Sequence, residues 1–188
     1  MPYPAEHRDR VREKILQSAQ RLFNRRGFAA VSIDEIMSEA GLTRGSFYTY
    51  FKSKSDLYAQ AVTRVVCEKQ ENANGAQSRY QADQIIREYL SHQHFEDIDG
   101  GCPMIGLPSD ITRSDRSIRQ AFESALRLMV EIFERDMGGL DRTAHSRALA
   151  RAALCVGGMV LARSIDDRTL ADEIREAAMS TALTLGQH

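Results

Sequence analysis

The chain has 188 residues, of which 43% are apolar and 27% charged, and its formal net charge is −1. This is the composition of a globular protein long enough to bury about 70% of its unfolded surface in one or two domains. No apolar run approaches the roughly 18 residues of a membrane span, and the first residues, MPYPAEHRDR, lack the apolar core of a signal peptide, so a cytoplasmic protein is expected.

A first helix is predicted over residues 8–26, with Val11, Ile15, Ala19, Leu22 and Phe23 on one face, ending in the string RRGF. Ser32 and Glu35 then stand in the S-x-x-E spacing of a capping box, which starts a second helix at Ile33. Ile33, Ile36, Met37 and Ala40 repeat at helical spacing before Gly41, a left-handed stop. Thr43 is placed to cap another helix almost at once. Two short helices meeting steeply across a three- or four-residue turn make a helix-turn-helix, here over about residues 32–51.

In the third helix Phe47 and Phe51 lie one turn apart and anchor it to a core. Gly45 and Thr49 fall opposite Phe47, with Ser46 and Tyr48 on the flanks. Gly45 costs about 1 kcal/mol relative to Ala in a helix, and close approach of its backbone to another molecule is the compensation expected. Arg44 adds a guanidinium, Ser46, Tyr48, Thr49 and Tyr50 add hydroxyls, and Lys52 and Lys54 follow without an acidic group among them. Such donors suit base edges and phosphates. The set expected to touch DNA is therefore Ser32, Thr43, Arg44, Gly45, Ser46, Tyr48, Thr49, Tyr50 and Lys54, where Ser32 and Thr43 can equally serve as caps alone.

A fourth helix opens with Ser53 as its cap and Asp56 at its third position, continuing through Leu57, Ala61, Val62 and Val65. Residues 72–78 read as a loop and residues 81–94 as a fifth helix with Ile85, Tyr89 and Leu90 inward. The stretch DIDGGCPMIGLPSD is broken by three glycines and two prolines, so any helix there is short or kinked. Ser114 is placed to cap a seventh helix, whose apolar stripe runs from Ile118 through Ala121, Phe122, Ala125, Leu128, Met129, Ile132 and Phe133 to Gly138 and Gly139. An eighth helix starts at Asp141 or Thr143, and a ninth follows the DDR turn at 166–168 and runs to about Leu185. No segment alternates with period two for long enough to make a strand. The fold expected is all-α.

Residues 1–58 hold 10 Lys or Arg against 7 Asp or Glu, and the remainder holds 15 against 19. A modestly basic head on an acidic body fits one end that meets a polyanion. Cys67, Cys102 and Cys155 are far apart and form no C-x-x-C, so neither a disulfide framework nor a zinc site is indicated. His92 and His94, two apart on a helix, point different ways and make poor metal partners. No metal, cofactor or catalytic residue is expected.

The string A-G-L-T-x-G-x-F-Y-x-Y-F-x-x-K-x-x-L, spelled by Ala40, Gly41, Leu42, Thr43, Gly45, Phe47, Tyr48, Tyr50, Phe51, Lys54 and Leu57, resembles the TetR family of bacterial transcriptional regulators, and the match spans about residues 10–66. Met37 departs from it, standing where the family commonly has a small Ala, as does Tyr50, in a place often held by His or Asn. Pro108 interrupts the family's sixth helix. The resemblance implies a DNA-binding domain over residues 8–66, joined through a long fourth helix to an effector-binding and dimerisation domain over residues 67–188, about nine helices in all. It implies a ligand-responsive repressor that binds a roughly palindromic double-stranded DNA operator as a homodimer and is released by a small molecule or an electrophile. Tyr89, Met104, Leu107, Phe122, Met129 and Phe133 are the candidates for lining an effector cavity, and Cys102 is the candidate thiol. For the dimer face, Ala152, Cys155, Val156, Met159, Ile174, Ala178 and Ala182 are the candidates on the last two helices.

Two other readings stay open at the level of sequence. One is an enzyme that uses Cys102 as a thiolate, since Gly100, Gly101 and Pro103 can place it at a helix N-terminus. Asp97 and Asp99 oppose this by raising the thiol pKa. The other is a helical protein-interaction module without DNA, which the Gly45, Tyr48 and Lys54 pattern disfavours.

Overall fold

A computed structural model of the chain describes residues 5–71, 78–106, 111–112, 114–137 and 142–187. Every regular element among them is helical, and they fall into two units. The first unit contains residues up to 64 together with 102–122. The second contains 65–101 and residues from 123 on. Leu107, Pro108, the 72–77 part of the predicted loop and the Gly138–Gly139 pair lie outside the described residues, as does the side chain of Cys67.

In the first unit α1 spans Ala5–Arg26, α2 Ile33–Glu39 and α3 Lys54–Glu71, the last continuing into the second unit. Gly27 (φ 79°) and Gly41 (φ 66°) turn the chain after α1 and α2 in the left-handed region, which glycine enters without a Cβ clash. Ile15, Ala19, Phe23, Ile36, Met37, Phe47 and Leu57 are wholly buried. Phe23, Phe28 and Tyr58 form a triangle of rings with centroids 5.5–5.6 Å apart. Met37, larger than the family's usual Ala, is absorbed in this core. Ser53 caps α3 as expected, its Oγ accepting from the Asp56 amide at 3.0 Å. The short α6, Pro103–Gly106, packs on α1.

The second unit holds α4 (Ser78–Tyr89), α5 (His92–Glu96), most of α7 (Arg116–Asp136), α8 (Arg142–Arg163) and α9 (Arg168–Thr184). The helix predicted over 81–94 is two helices, because Ser91 accepts from the His94 amide and restarts the chain as a new N-cap. The cap of α7 is Asp115 rather than Ser114: its carboxylate accepts from the amides of Ser117 (3.1 Å) and Ile118 (3.2 Å). Asp167 caps α9 in the same way.

Arginines from the last two helices close the ends of the earlier ones. Arg175 Nη1 donates to the Leu90 carbonyl just beyond α4 at 2.7 Å. Arg163 donates to the carbonyls of His94, Phe95 (3.2 Å) and Asp97 (3.1 Å) at the end of α5. A cation on these last carbonyls satisfies acceptors that the helix leaves unpaired and complements its dipole. α8 and α9 run antiparallel and close together. At Gly158 an added Cβ would stand 2.7 Å from the Ala178 Cβ.

Candidate DNA-binding surface

The surface is built from α2 and the segment after it. Ser32 and Glu35 form the full capping box: the Glu35 amide donates to Ser32 Oγ at 3.2 Å, and the Ser32 amide donates to the Glu35 carboxylate at 2.8 Å. These bonds and the nearby Arg26 lower the Glu35 pKa from 4.5 to about 2. The Ser32 hydroxyl also donates to Glu35, so it is engaged as a cap. Arg26 and Arg21 on α1 hold Glu35 and Glu39 on α2 at 2.6 and 2.9 Å.

The helix expected after Gly41 is not an α-helix. Arg44–Thr49 form a 3-10 segment, whose Ser46 and Tyr50 amides bond to Thr43 and Phe47 at 3.1 and 2.9 Å. Gly45 and the β-branched Thr49 are weak α formers, and with three residues per turn Gly45 and Tyr48 share one side and Ser46 and Thr49 another. Phe47 and Phe51 bury their rings, centroids 5.8 Å apart, and fix the segment to the unit's core. Thr43 stands at the N-cap position without a side-chain cap bond. Tyr48 is 61% exposed. Thr43, Arg44, Gly45 and Thr49 are also exposed, Ser46 and Tyr50 are half-buried, and the space around Gly45 is open. The Ser46 hydroxyl donates back to the Thr43 carbonyl at 2.7 Å.

Lys54 differs from expectation. Its ammonium donates to the carbonyls of Phe28 (2.7 Å) and Val31 (2.6 Å) and sits 4.2 Å from the Phe28 ring centre. Burial lowers its pKa, opposed by the charge of Glu35. In this structure Lys54 is a tie between α3 and the loop before α2, rather than a projecting phosphate donor. A residue that the sequence did not bring forward is Asp34, whose Oδ2 accepts from Arg44 Nη1 at 2.6 Å. Its position in the exposed first turn of α2 is the only sequence signal it carries.

The model of bacterial regulatory proteins of the tetR family matches residues 15–61, which contain this surface. Residues 15–61 are thus similar to the N-terminal part of TetR-family regulators. Among similar proteins, the HTH-type transcriptional regulator AcrR of Shigella flexneri is 36% identical over 89 residues, covering 44% of this chain and 39% of AcrR. LmrA of Bacillus subtilis is 26% identical over 168 residues, 84% of this chain and 89% of LmrA. Alignments at 32–48% identity span only 17–39% of the relatives' own lengths. The reduced form of Escherichia coli NemR has the same fold, with a TM-score of 0.75 at 19% identity over 92% of this chain and 94% of that one.

The candidates outside the head of the chain are scattered. Cys102, 4% exposed, and Met104, also buried, belong to the first unit with Phe122, whereas Tyr89, Met129 and Phe133 are buried in the second. A hollow of about 350 Å³ on the second unit is lined by α7 and α8 residues, including Leu126, Val130, Glu134 and His145, and by none of the expected effector residues. Ala152, Cys155, Met159, Ala178 and Ala182, expected to meet a partner, are instead buried within the single chain. Val156 and Ile174 are half-exposed. On the opposite face of α8, Leu149, Ala153, Gly157, Val160 and Leu161 are at least partly exposed. No helix among the described residues is long and apolar enough to cross a membrane, and no group of three metal-ligating side chains occurs among them.

Proposed function

We propose that the protein is a ligand-responsive, cytoplasmic transcriptional repressor that binds a roughly palindromic operator as a homodimer and releases it when a small molecule binds the second unit. The observation that carries this reading is the exposed segment from Thr43 to Thr49. It is anchored by the buried Phe47 and Phe51 and presents an arginine, four hydroxyl side chains and an unobstructed glycine backbone within a run from Ala40 to Ser55 that contains no acid. Groups of this kind reach phosphate oxygens and base edges in a major groove.

A homodimer is supported by α8. From Leu149 to Ala162 its single charged residue is Arg151, which is buried, so the outward face is uncharged and ends in Leu161, 58% exposed. Pairing of that face brings two heads to half-sites, which in such dimers lie roughly 34–36 Å apart or a multiple of that. The test is selection of bound duplexes from a random DNA library, followed by titration of the selected site at several salt concentrations. A palindromic site whose affinity falls steeply with salt is expected. Failure to retain any duplex at low salt would overturn the reading.

A further inference from the structure

From the pairing of Arg44 with Asp34 we infer that Asp34 is a positioning residue for base recognition: its carboxylate fixes the Arg44 guanidinium so that the fork's other edge reads guanine. This rests on the DNA-binding reading above. The contact is a single bond from Arg44 Nη1 to Asp34 Oδ2, 2.6 Å long, with both side chains more than half exposed. An ion pair so open to solvent adds little to stability, and its value lies in direction. With Nη1 held by the carboxylate, Nε and Nη2 remain side by side as two parallel donors, the arrangement that matches guanine O6 and N7.

The other acids of α2 do different work. Glu35 closes the capping box and bonds to Arg26, and Glu39 bonds to Arg21, so both tie the helix to the rest of the unit. Asp34 alone of the three reaches toward the 3-10 segment, joining the first turn of α2 to the first residue of that segment. A carboxylate at a surface facing phosphates is repelled by them. Paired with Arg44, it also offsets the arginine's net charge, which weakens non-directional attraction to the backbone and leaves the geometry of the fork to decide what is bound.

The test compares wild type, Asp34→Asn, Asp34→Glu and Arg44→Ala on the selected operator, on duplexes changed at single base pairs, and on unrelated DNA. Arg44→Ala identifies the base pair it reads. Asp34→Asn is expected to bind unrelated DNA as tightly as wild type or more tightly, with a salt slope at least as steep, while its preference at that base pair falls roughly tenfold. Asp34→Glu should restore part of the preference. If Asp34→Asn keeps the full preference, or tightens binding to every sequence alike, Asp34 does not position Arg44. Absence of wild-type binding to any duplex would instead sink the DNA-binding reading itself, and that result is separate from these.

Discussion

Arg151 and Asp136 form an ion pair inside the second unit, Nη1 to Oδ2 at 2.7 Å, with side chains 0% and 1% exposed. The same guanidinium donates to Asp83 (2.8 Å) and to the Ala182 carbonyl (2.9 Å), lies 5.4 Å from the Phe133 ring centre and fills the space beside Gly186. One side chain thus links α4, α7, α8 and α9. Removing one partner leaves the other charge buried, which costs about 3–5 kcal/mol. Arg151→Met should lower the unfolding free energy by that amount in a denaturant titration, and Arg151→Met with Asp136→Leu should recover much of it. A loss under 1 kcal/mol for the single variant would show that the pair is not insulated from water.

Glu35 makes the head sensitive to acid. Its folded pKa, about 2, lies below the unfolded value of 4.5, so the folded state binds fewer protons between these values. Its contribution to stability is complete above about pH 4.5 and is lost as pH falls toward 2. Glu35→Gln should therefore melt below wild type at pH 6, and the gap should narrow by pH 3. A gap that stays constant across that range would mean that the charge of Glu35 is not what the capping box uses.

Adjacent glycines on α8 should respond oppositely to one added methyl. The site of Gly157 is open within the chain, so Gly157→Ala is expected to gain up to about 1 kcal/mol in monomer stability from helix propensity. At Gly158 the methyl meets Ala178 at 2.7 Å and Leu90 at 3.3 Å, and Gly158→Ala should lose about 1–3 kcal/mol through overpacking. Leu161→Asp should leave the fold intact and shift the protein toward monomer in analytical ultracentrifugation. Retention of a full-strength dimer would move the interface off this face of α8.

Lys54 should act on stability before it acts on DNA. With two charged hydrogen bonds to carbonyls, Lys54→Met is expected to lower stability by about 1.5–3 kcal/mol, while the slope of log affinity against log salt stays as in wild type. A slope reduced by about one would instead return Lys54 to the phosphate-binding set.

Much of the head was legible because its signals are local. Ser32 and Glu35 are three residues apart, Gly41 needs only its own φ, and the stripe from Ile118 to Phe133 repeats within one helix. What the sequence did not convey depends on distant partners. Lys54 finds the carbonyls of Phe28 and Val31, and Arg151 finds Asp83, 68 residues away. The last helices misled for another reason: α8 carries small or apolar side chains on nearly every side, so periodicity cannot say whether Ala152 or Ala153 faces inward. Ala152 does, and Ala153 does not. The 3-10 geometry of Arg44–Thr49 was hidden because the spacing of Phe47 and Phe51 also suits an α-helix.

The first unit is assembled from two separated stretches of chain, and that has a bearing on how it can be dissected. Cys102, Met104, Ile105, Ile111 and Ile118 are buried members of the stretch 102–122. A fragment ending at residue 64 or 66 would lack all of them and leave the α1 surface under α6 bare, so it should be expected to precipitate or to remain loosely folded. Severing the backbone between residues 72 and 77 would have a different result, because both pieces that build the unit survive such a cut and can stay associated without a continuous chain.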